Sequence, residues 1–217
     1  MSEQLYKDLL KDIRDTNREL WNKALLRDET GVSSERIGQN DYAISFDGKS
    51  DDNTVLFDMH KPASDLIDSL LSARQYSLLL YDKGVVQAEF IISNGEIVKE
   101  RLLFIKKHNW LVDKEYVVKA EADDIDWFSD EESFPLFLRV DYDRNSHVEQ
   151  KHPISHMTLS NNKLCRIPVQ DAISFSEFMR FILLHFYGEE LELKPFRFNN
   201  DSSLTDSEKK MIHLGWS

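Results

Sequence analysis

The chain is poor in cysteine. Cys165 is the only one among 217 residues, so no internal disulfide can form, and a reducing cytoplasm is the expected compartment. Its neighbours Leu164 and Ile167 predict a buried thiol rather than a reactive one. Long apolar runs are missing as well, and none approaches the length of a membrane span. The opening Ser2-Glu3-Gln4 lacks the basic and apolar regions of a signal peptide, so a soluble intracellular protein with no membrane association is expected. Basic charge is also short. Twenty-seven basic against 39 acidic residues leave a net charge of -12, which repels a polyanion and argues against broad, non-specific nucleic-acid binding. A local basic groove stays open. No repeat at solenoid periods is visible, and GxSxG, CxxC and HExxH are absent. Gly48-Lys49-Ser50 ends like a phosphate-binding loop, but position 43, where the motif needs glycine, is Ala43.

What is present suffices for a core, with 41% hydrophobic and 11% aromatic residues. The apolar positions Leu5, Leu9, Ile13, Leu20, Trp21, Ala24 and Leu25 recur at mostly helical spacing between Ser2 and Leu26, which predicts a long amphipathic helix whose stripe packs on the domain or serves a partner. Tyr42 to Asp47 and Thr54 to Met59 read as a hairpin, and Ser64 as the N-cap of a short helix reaching Leu71. Tyr76 to Tyr81, Val85 to Ile92 and Ile97 to Ile105 form a three-stranded meander through connectors that contain Gly84 and Gly95. Beyond Tyr116 to Lys119 six carboxylates, Asp123, Asp124, Asp126, Asp130, Glu131 and Glu132, surround Trp127 and Phe128. That run reads as a solvated loop anchored by two aromatics, or as a docking surface for a basic partner. Ser174 and Glu177 make a capping box ahead of an apolar helix that stops at Gly188, and Thr205 with Glu208 predicts a shorter capped helix ending near Gly215.

The fold expected is a single α+β domain over 1–217, with an N-terminal helix in 1–27, a twisted antiparallel sheet of about six to nine strands in 40–170 and helices in 174–217.

Chemistry gathers in one stretch. Three of the seven histidines, His147, His152 and His156, lie within residues 147 to 156, after a strand that carries Arg139 and Asp141. Alternation sends Leu136, Leu138, Val140 and Tyr142 to one side of that strand, with Phe137, Arg139 and Asp141 on the other. If 156–159 is a strand, Met157 and Leu159 are core while His156 and Thr158 are polar, and a strand over 164–167 turns Arg166 outward. Arg139, Asp141, His156, Thr158 and Arg166 then share one surface. The loop from Asp143 to Ser155 carries His147, Lys151 and His152 and is long enough to fold over it.

Three readings follow. In acid-base cleavage of a phosphodiester, His152 and His156 serve as acid and base, Arg139 or Arg166 clamps phosphate, and Asp141 orients an imidazole. In a metal site, Asp141, His147, His152 and His156 are the candidate ligands for zinc or another divalent ion, although Pro153 keeps His152 out of helical geometry. In the structural reading, the histidines bond backbone carbonyls, and Arg139 and Asp141 form an ordinary ion pair. His60, His185 and His213 are isolated, and Lys106-Lys107-His108 reads as a solvated basic strand end.

The segments Phe137-Leu138-Arg139-Val140-Asp141-Tyr142, His152-Pro153-Ile154-Ser155-His156-Met157-Thr158-Leu159 and Cys165-Arg166-Ile167-Pro168-Val169, with the helix ending Phe181 to Tyr187, resemble the bacterial family called domain of unknown function 2290. That likeness implies no activity. Arg139, Asp141, His147, His152, Pro153 and His156 also resemble, over a short segment, the Arg-x-Asp strand and proline-containing histidine cluster of TumE-like toxins of toxin-antitoxin pairs. This second likeness implies a toxin- or defence-type role without identifying a substrate; joined to the acid-base reading, it leads to RNA or a nucleotide as the expected substrate and an antitoxin or defence-system subunit as the expected partner. The competing expectation is a non-catalytic module that docks a protein through the N-terminal helix and the acidic loop.

Overall fold

The computed structural model describes residues 2–50, 62–107, 114–128, 135–149, 151–160, 165–198 and 202–215. Within them lie four α-helices, α1 (Ser2–Asn22), α2 (Ala63–Ser72), α3 (Lys114–Ala122) and α4 (Phe175–Phe186). Nine strands form one antiparallel sheet: β1 (Leu26–Glu29), β2 (Val32–Arg36), β3 (Asp41–Phe46), β4 (Leu78–Leu80), β5 (Val85–Ser93), β6 (Glu96–Lys107), β7 (Pro135–Asp143), β8 (Ser155–Leu159) and β9 (Arg166–Pro168). The architecture is α+β, as the alternation of patterns predicts. The order runs β1-β4-β5-β6-β7-β8-β9, and the β2-β3 pair joins β5 beyond the end of β4.

The β5-β6 hairpin is the spine. Asn94 and Gly95, at φ 51° and 87°, make the tight turn with two positive dihedrals whose twist matches the flanking strands. At the β4-β5 turn the left-handed residue is Lys83 rather than Gly84. Gly84 is required for space, because a Cβ there would sit 2.6 Å from the Tyr187 hydroxyl oxygen.

One face of the sheet carries the main core. Leu102, Phe104, Leu138, Val140, Tyr142 and Met157 meet Leu9, Leu10, Ile13 and Leu20 of α1 and Phe175, Phe178, Met179 and Ile182 of α4. Burial of each of these larger side chains contributes about 1.5–3 kcal/mol. Most of the stripe of α1 is thus spent inside its own chain, with Trp21 left 43% exposed. Asp12 on α1 accepts a hydrogen bond from the Ser176 backbone N–H at 3.0 Å, placing a carboxyl at the N-terminus of α4, where the helix dipole favours it. Ser174 and Glu177 form the expected capping box, and Gly188, at φ 65°, follows the helix end.

The opposite face is also partly covered. Leu66, Ile67 and Leu70 of α2 pack with Leu79, Val85, Leu103, Ile105 and Phe137, joined by Phe128 from the acidic segment. Phe137 does point away from the main core, as alternation predicts, but into this second cluster. Among the described residues no helix is long and apolar enough to cross a membrane.

Several local expectations are corrected. The first helix stops at Asn22, because Ala24 adopts φ 50° and the chain turns into β1, so strands begin well before residue 40. Strand β3 pairs with β2 and β5, and Thr54 to Met59, its expected partner, lies outside the described residues. Pro62 rather than Ser64 occupies the N-cap of α2, and Ser64 is buried in the first turn. Thr205 and Glu208 exchange capping bonds at 2.9 and 3.2 Å, yet only a 3-10 turn, Glu208–Lys210, follows. The chain beyond it is held instead by bonds between Leu214 and both Pro168 and Gln170. Cys165 is half-buried, not buried.

Candidate functional site

Register places the chemistry-bearing residues on the second face, beside the α2 cluster. Across β6, β7, β8 and β9 one row reads Arg101, Asp141, His156 and Pro168, and the adjacent row reads Leu103, Arg139, Thr158 and Arg166. Directly opposed side chains in such rows are within about 4.5–5.5 Å at Cβ. Arg139, Asp141, His156, Thr158 and Arg166 therefore share a face, because all three strands keep the expected phase.

Asp141 is the hub. Its Oδ2 accepts from Arg139 Nε at 2.5 Å and its Oδ1 from Arg101 Nε at 3.3 Å. Arg101 was not singled out in the sequence. The signal for it was the alternation of the meander's third strand, which sets Arg101 opposite Asp141 once β6 and β7 pair. Glu89 continues the row on β5, opposite Arg101, and is neutralised by Lys49 at 2.5 Å. On this face Lys49, Arg101, Arg139 and Arg166 stand against Glu89 and Asp141, with Lys99 and Asp143 opposed in a further row, so cations outnumber carboxylates on a chain whose total is -12.

His156 is 2% exposed, a buried residue rather than a solvated one. Its Nδ1 lies 3.1 Å from the Pro153 carbonyl oxygen. A carbonyl only accepts, so Nδ1 carries the proton and Nε2 keeps its lone pair. The tautomer is set by Pro153, and Asp141, 3.8 Å from Nε2, is beyond hydrogen-bond distance. Burial pushes the imidazole down to about 4, against the opposing pull of Asp141. The 3.8 Å approach would be an ion pair only for a protonated ring. We read it as a neutral imidazole beside a carboxylate whose charge is already taken by two guanidiniums.

The loop 143–155 folds back as a tight turn closed by a bridge between Val148 and His152. It brings His152 to His156, with ring centroids 4.8 Å apart in an edge-on contact. His152 Nδ1 and Thr158 Oγ1 are buried without a hydrogen-bond partner among the described residues. Arg166 Nη1 donates weakly to the Lys151 carbonyl at 3.4 Å. His147 goes elsewhere, its Nε2 lying 3.5 Å from Glu208 Oε1. The metal candidates Asp141, His147, His152 and His156 are thus not drawn into one ligand set, and among the described residues no three His, Cys, Asp or Glu side chains gather closely enough to hold an ion. Of the isolated histidines, His185 packs against Phe181 at 4.7 Å, His213 Nδ1 lies 3.0 Å from the Met211 carbonyl oxygen, and His60 lies outside the described residues, as does His108 of the basic strand end.

Fold and face together define an α+β protein built on an open antiparallel sheet, with a row of arginine, aspartate and histidine on the face away from its main core. A family model described as "Uncharacterized conserved protein (DUF2290)" matches residues 25–216, and the chain belongs to that family. The match lends no support to the local likeness to TumE-like toxins. No curated protein and no solved structure matches the chain.

Proposed function

We propose that the face formed by β6 to β9 binds an anionic phosphodiester and cleaves it by histidine acid-base chemistry, with RNA or a nucleotide as substrate, in a cytoplasmic protein of toxin or defence type. The observation that carries this reading is the neutral His156, its Nε2 lone pair unspent, set among three guanidiniums of which two, Arg101 and Arg139, share the carboxylate of Asp141. His156 is the base that takes the proton of the nucleophile. His152, the more exposed of the two rings, is the acid that returns a proton to the leaving oxygen. Arg139 and Arg166, flanking the unpaired Thr158 hydroxyl in one row, hold the phosphate, and Asp141 positions Arg101 and Arg139 rather than an imidazole. Because His156 is 2% exposed, substrate reaches Nε2 only when the His152 ring gives way.

The test is cleavage of a labelled RNA by wild type, His152→Ala and His156→Ala, each shown to be folded by circular dichroism. Each substitution is expected to lower the rate by about 100-fold or more, the usual contribution of a positioned acid or base. Equal rates for all three proteins would remove the catalytic assignment.

One observation favours a second reading, a non-catalytic docking module. Tyr116, Val118 and Ile125 are 48, 62 and 51% exposed around α3, beside the carboxylates of Glu115, Glu121, Asp123 and Asp124. A basic partner with an apolar face fits that surface. Of the N-terminal helix, most of the apolar stripe is core, and Trp21, 43% exposed, is the stripe residue left to such a surface. Loss of partner capture in Val118→Asp, with His156→Ala still binding, would favour this reading.

A further inference from the structure

On the other side of the sheet, a half-open cleft of about 320 Å³ lies between the outer face of α4, the segment 189–198 that follows it, and the tail near Leu214. Its volume is at the small end of ligand sites, which run from about 300 Å³. Each wall is fixed independently. Glu19 of α1 accepts from the backbone N–H of Leu193 at 2.9 Å, Ser176 Oγ accepts from Phe196 N at 3.0 Å, and Leu214 N donates to the Pro168 carbonyl at 2.9 Å. A cleft built this way is formed before any ligand arrives, which spares the entropy of ordering it.

The lining has two characters. Phe181, Leu184, Pro195 and Leu214 supply an apolar surface, and Leu184 is 45% exposed. Arg180 and Arg197 supply charge. Arg197 is held through Nε by Glu177 Oε1 at 3.3 Å, and Glu177 is itself fixed by the capping box. Among the described residues the two terminal nitrogens of Arg197 have no partner, and Arg180 has no ion pair. A guanidinium anchored by Nε presents its remaining donors as a fork suited to a carboxylate or phosphate. Two cations against the one carboxylate of Glu177 leave the cleft positive on a chain of net charge -12.

We propose that this cleft binds a small organic oxyanion, its ring-sized apolar body lying on Phe181, Leu184, Pro195 and Leu214 and its single carboxylate or phosphate held by Arg197 and Arg180. The site is independent of the histidine face, from which the sheet separates it.

The experiment is calorimetric titration of the full chain with three probes of similar body: 2-naphthoate, 1-naphthyl phosphate and the neutral 2-naphthamide. At least one oxyanion is expected to saturate with Kd below about 1 mM and to bind about tenfold or more tightly than the amide, the worth of one charge-assisted contact. Preference for the phosphate or for the carboxylate assigns the head group. Arg180→Gln is expected to weaken the oxyanion about fivefold to tenfold, and Leu184→Glu to abolish it. Both positions are exposed, and an unchanged melting temperature separates lost binding from lost fold. His156→Ala should bind as wild type does, which keeps this result distinct from the fate of the cleavage reading. Equal affinity for amide and oxyanions, wild-type binding by both cleft variants, or no saturation by about 5 mM would each overturn the proposal.

Discussion

Replacing His156 with glutamine tests whether burial depresses the pKa of the imidazole at the centre of the polar face. Glutamine is polar and of similar reach, but it does not titrate. In the folded chain burial holds the ring at about 4, whereas the unfolded chain releases its proton near the ordinary value of about 6.5. Between those values the unfolded state binds more protons than the folded one. Stability associated with His156 is therefore present above about pH 6.5 and lost as pH falls through 4. A separation of about 2.5 units corresponds to about 3 kcal/mol, undiminished by solvent because the residue is 2% exposed. Urea unfolding of wild type and His156→Gln at half-unit intervals from pH 4 to 8 measures it as a difference curve. The wild type should lose about 3 kcal/mol more than the variant between pH 7 and 4, nearly all of it below 6.5. A difference curve flat to within about 0.5 kcal/mol would mean that the ring protonates as easily in the fold as out of it. The depression assigned to burial would then be wrong, and His156 would be an ordinary imidazole, still mostly unprotonated at pH 7.

The strands of the candidate site were readable in the sequence for a specific reason. In β7 a one-residue slip would carry Leu138, Val140 and Tyr142 out of the main core and Arg139 and Asp141 into it, so burial specifies the register strongly. The same constraint acts on Met157 in β8 and Ile167 in β9, and the Arg–Asp–His face follows from it. What alternation could not supply was the environment of that face. It predicts a side, not whether the side meets water, and His156 and Thr158 are buried on a face against which the loop carrying His152 folds through contacts of its own. The divergence of His147 toward Glu208 has the same origin, since its partner lies 61 residues away in a tail read as a helix. Strands β1 and β2 escaped notice because they are short, and β2, Val32-Ser33-Ser34-Glu35-Arg36, carries little apolar signal. The partner choice of β3 was likewise settled by long-range pairing with β5, which no local pattern encodes.

Two further perturbations bear on the buried charges. Asp141→Asn withdraws the carboxylate shared by Arg101 and Arg139, and because all three side chains keep some solvent contact the expected loss is about 1–3 kcal/mol in urea unfolding, below that of a fully buried pair. An unchanged midpoint would show that the hub contributes no stability. Glu100 presents the opposite case to His156. It is 1% exposed on the main-core side, accepts from the Ile173 backbone N–H at 3.1 Å, and is pushed well above the ordinary carboxyl range by burial, with Asp171, Glu177 and Asp141 adding repulsion. The folded state therefore keeps a proton that the unfolded chain gives up near pH 4.5, and stability falls as pH rises, by about 1.4 kcal/mol per unit while that proton is retained. Glu100→Gln keeps the acceptor for Ile173 and abolishes the titration, so its urea midpoint should rise relative to wild type as pH increases above about 4.5. Above about pH 4.5 this slope has the opposite sign to that of His156, so the two offset each other in the wild-type curve and the difference curves of the single variants separate them. A Glu100→Gln difference that stayed flat would mean that the carboxylate ionises inside the core, and the assigned cause, burial without a cation, would be wrong.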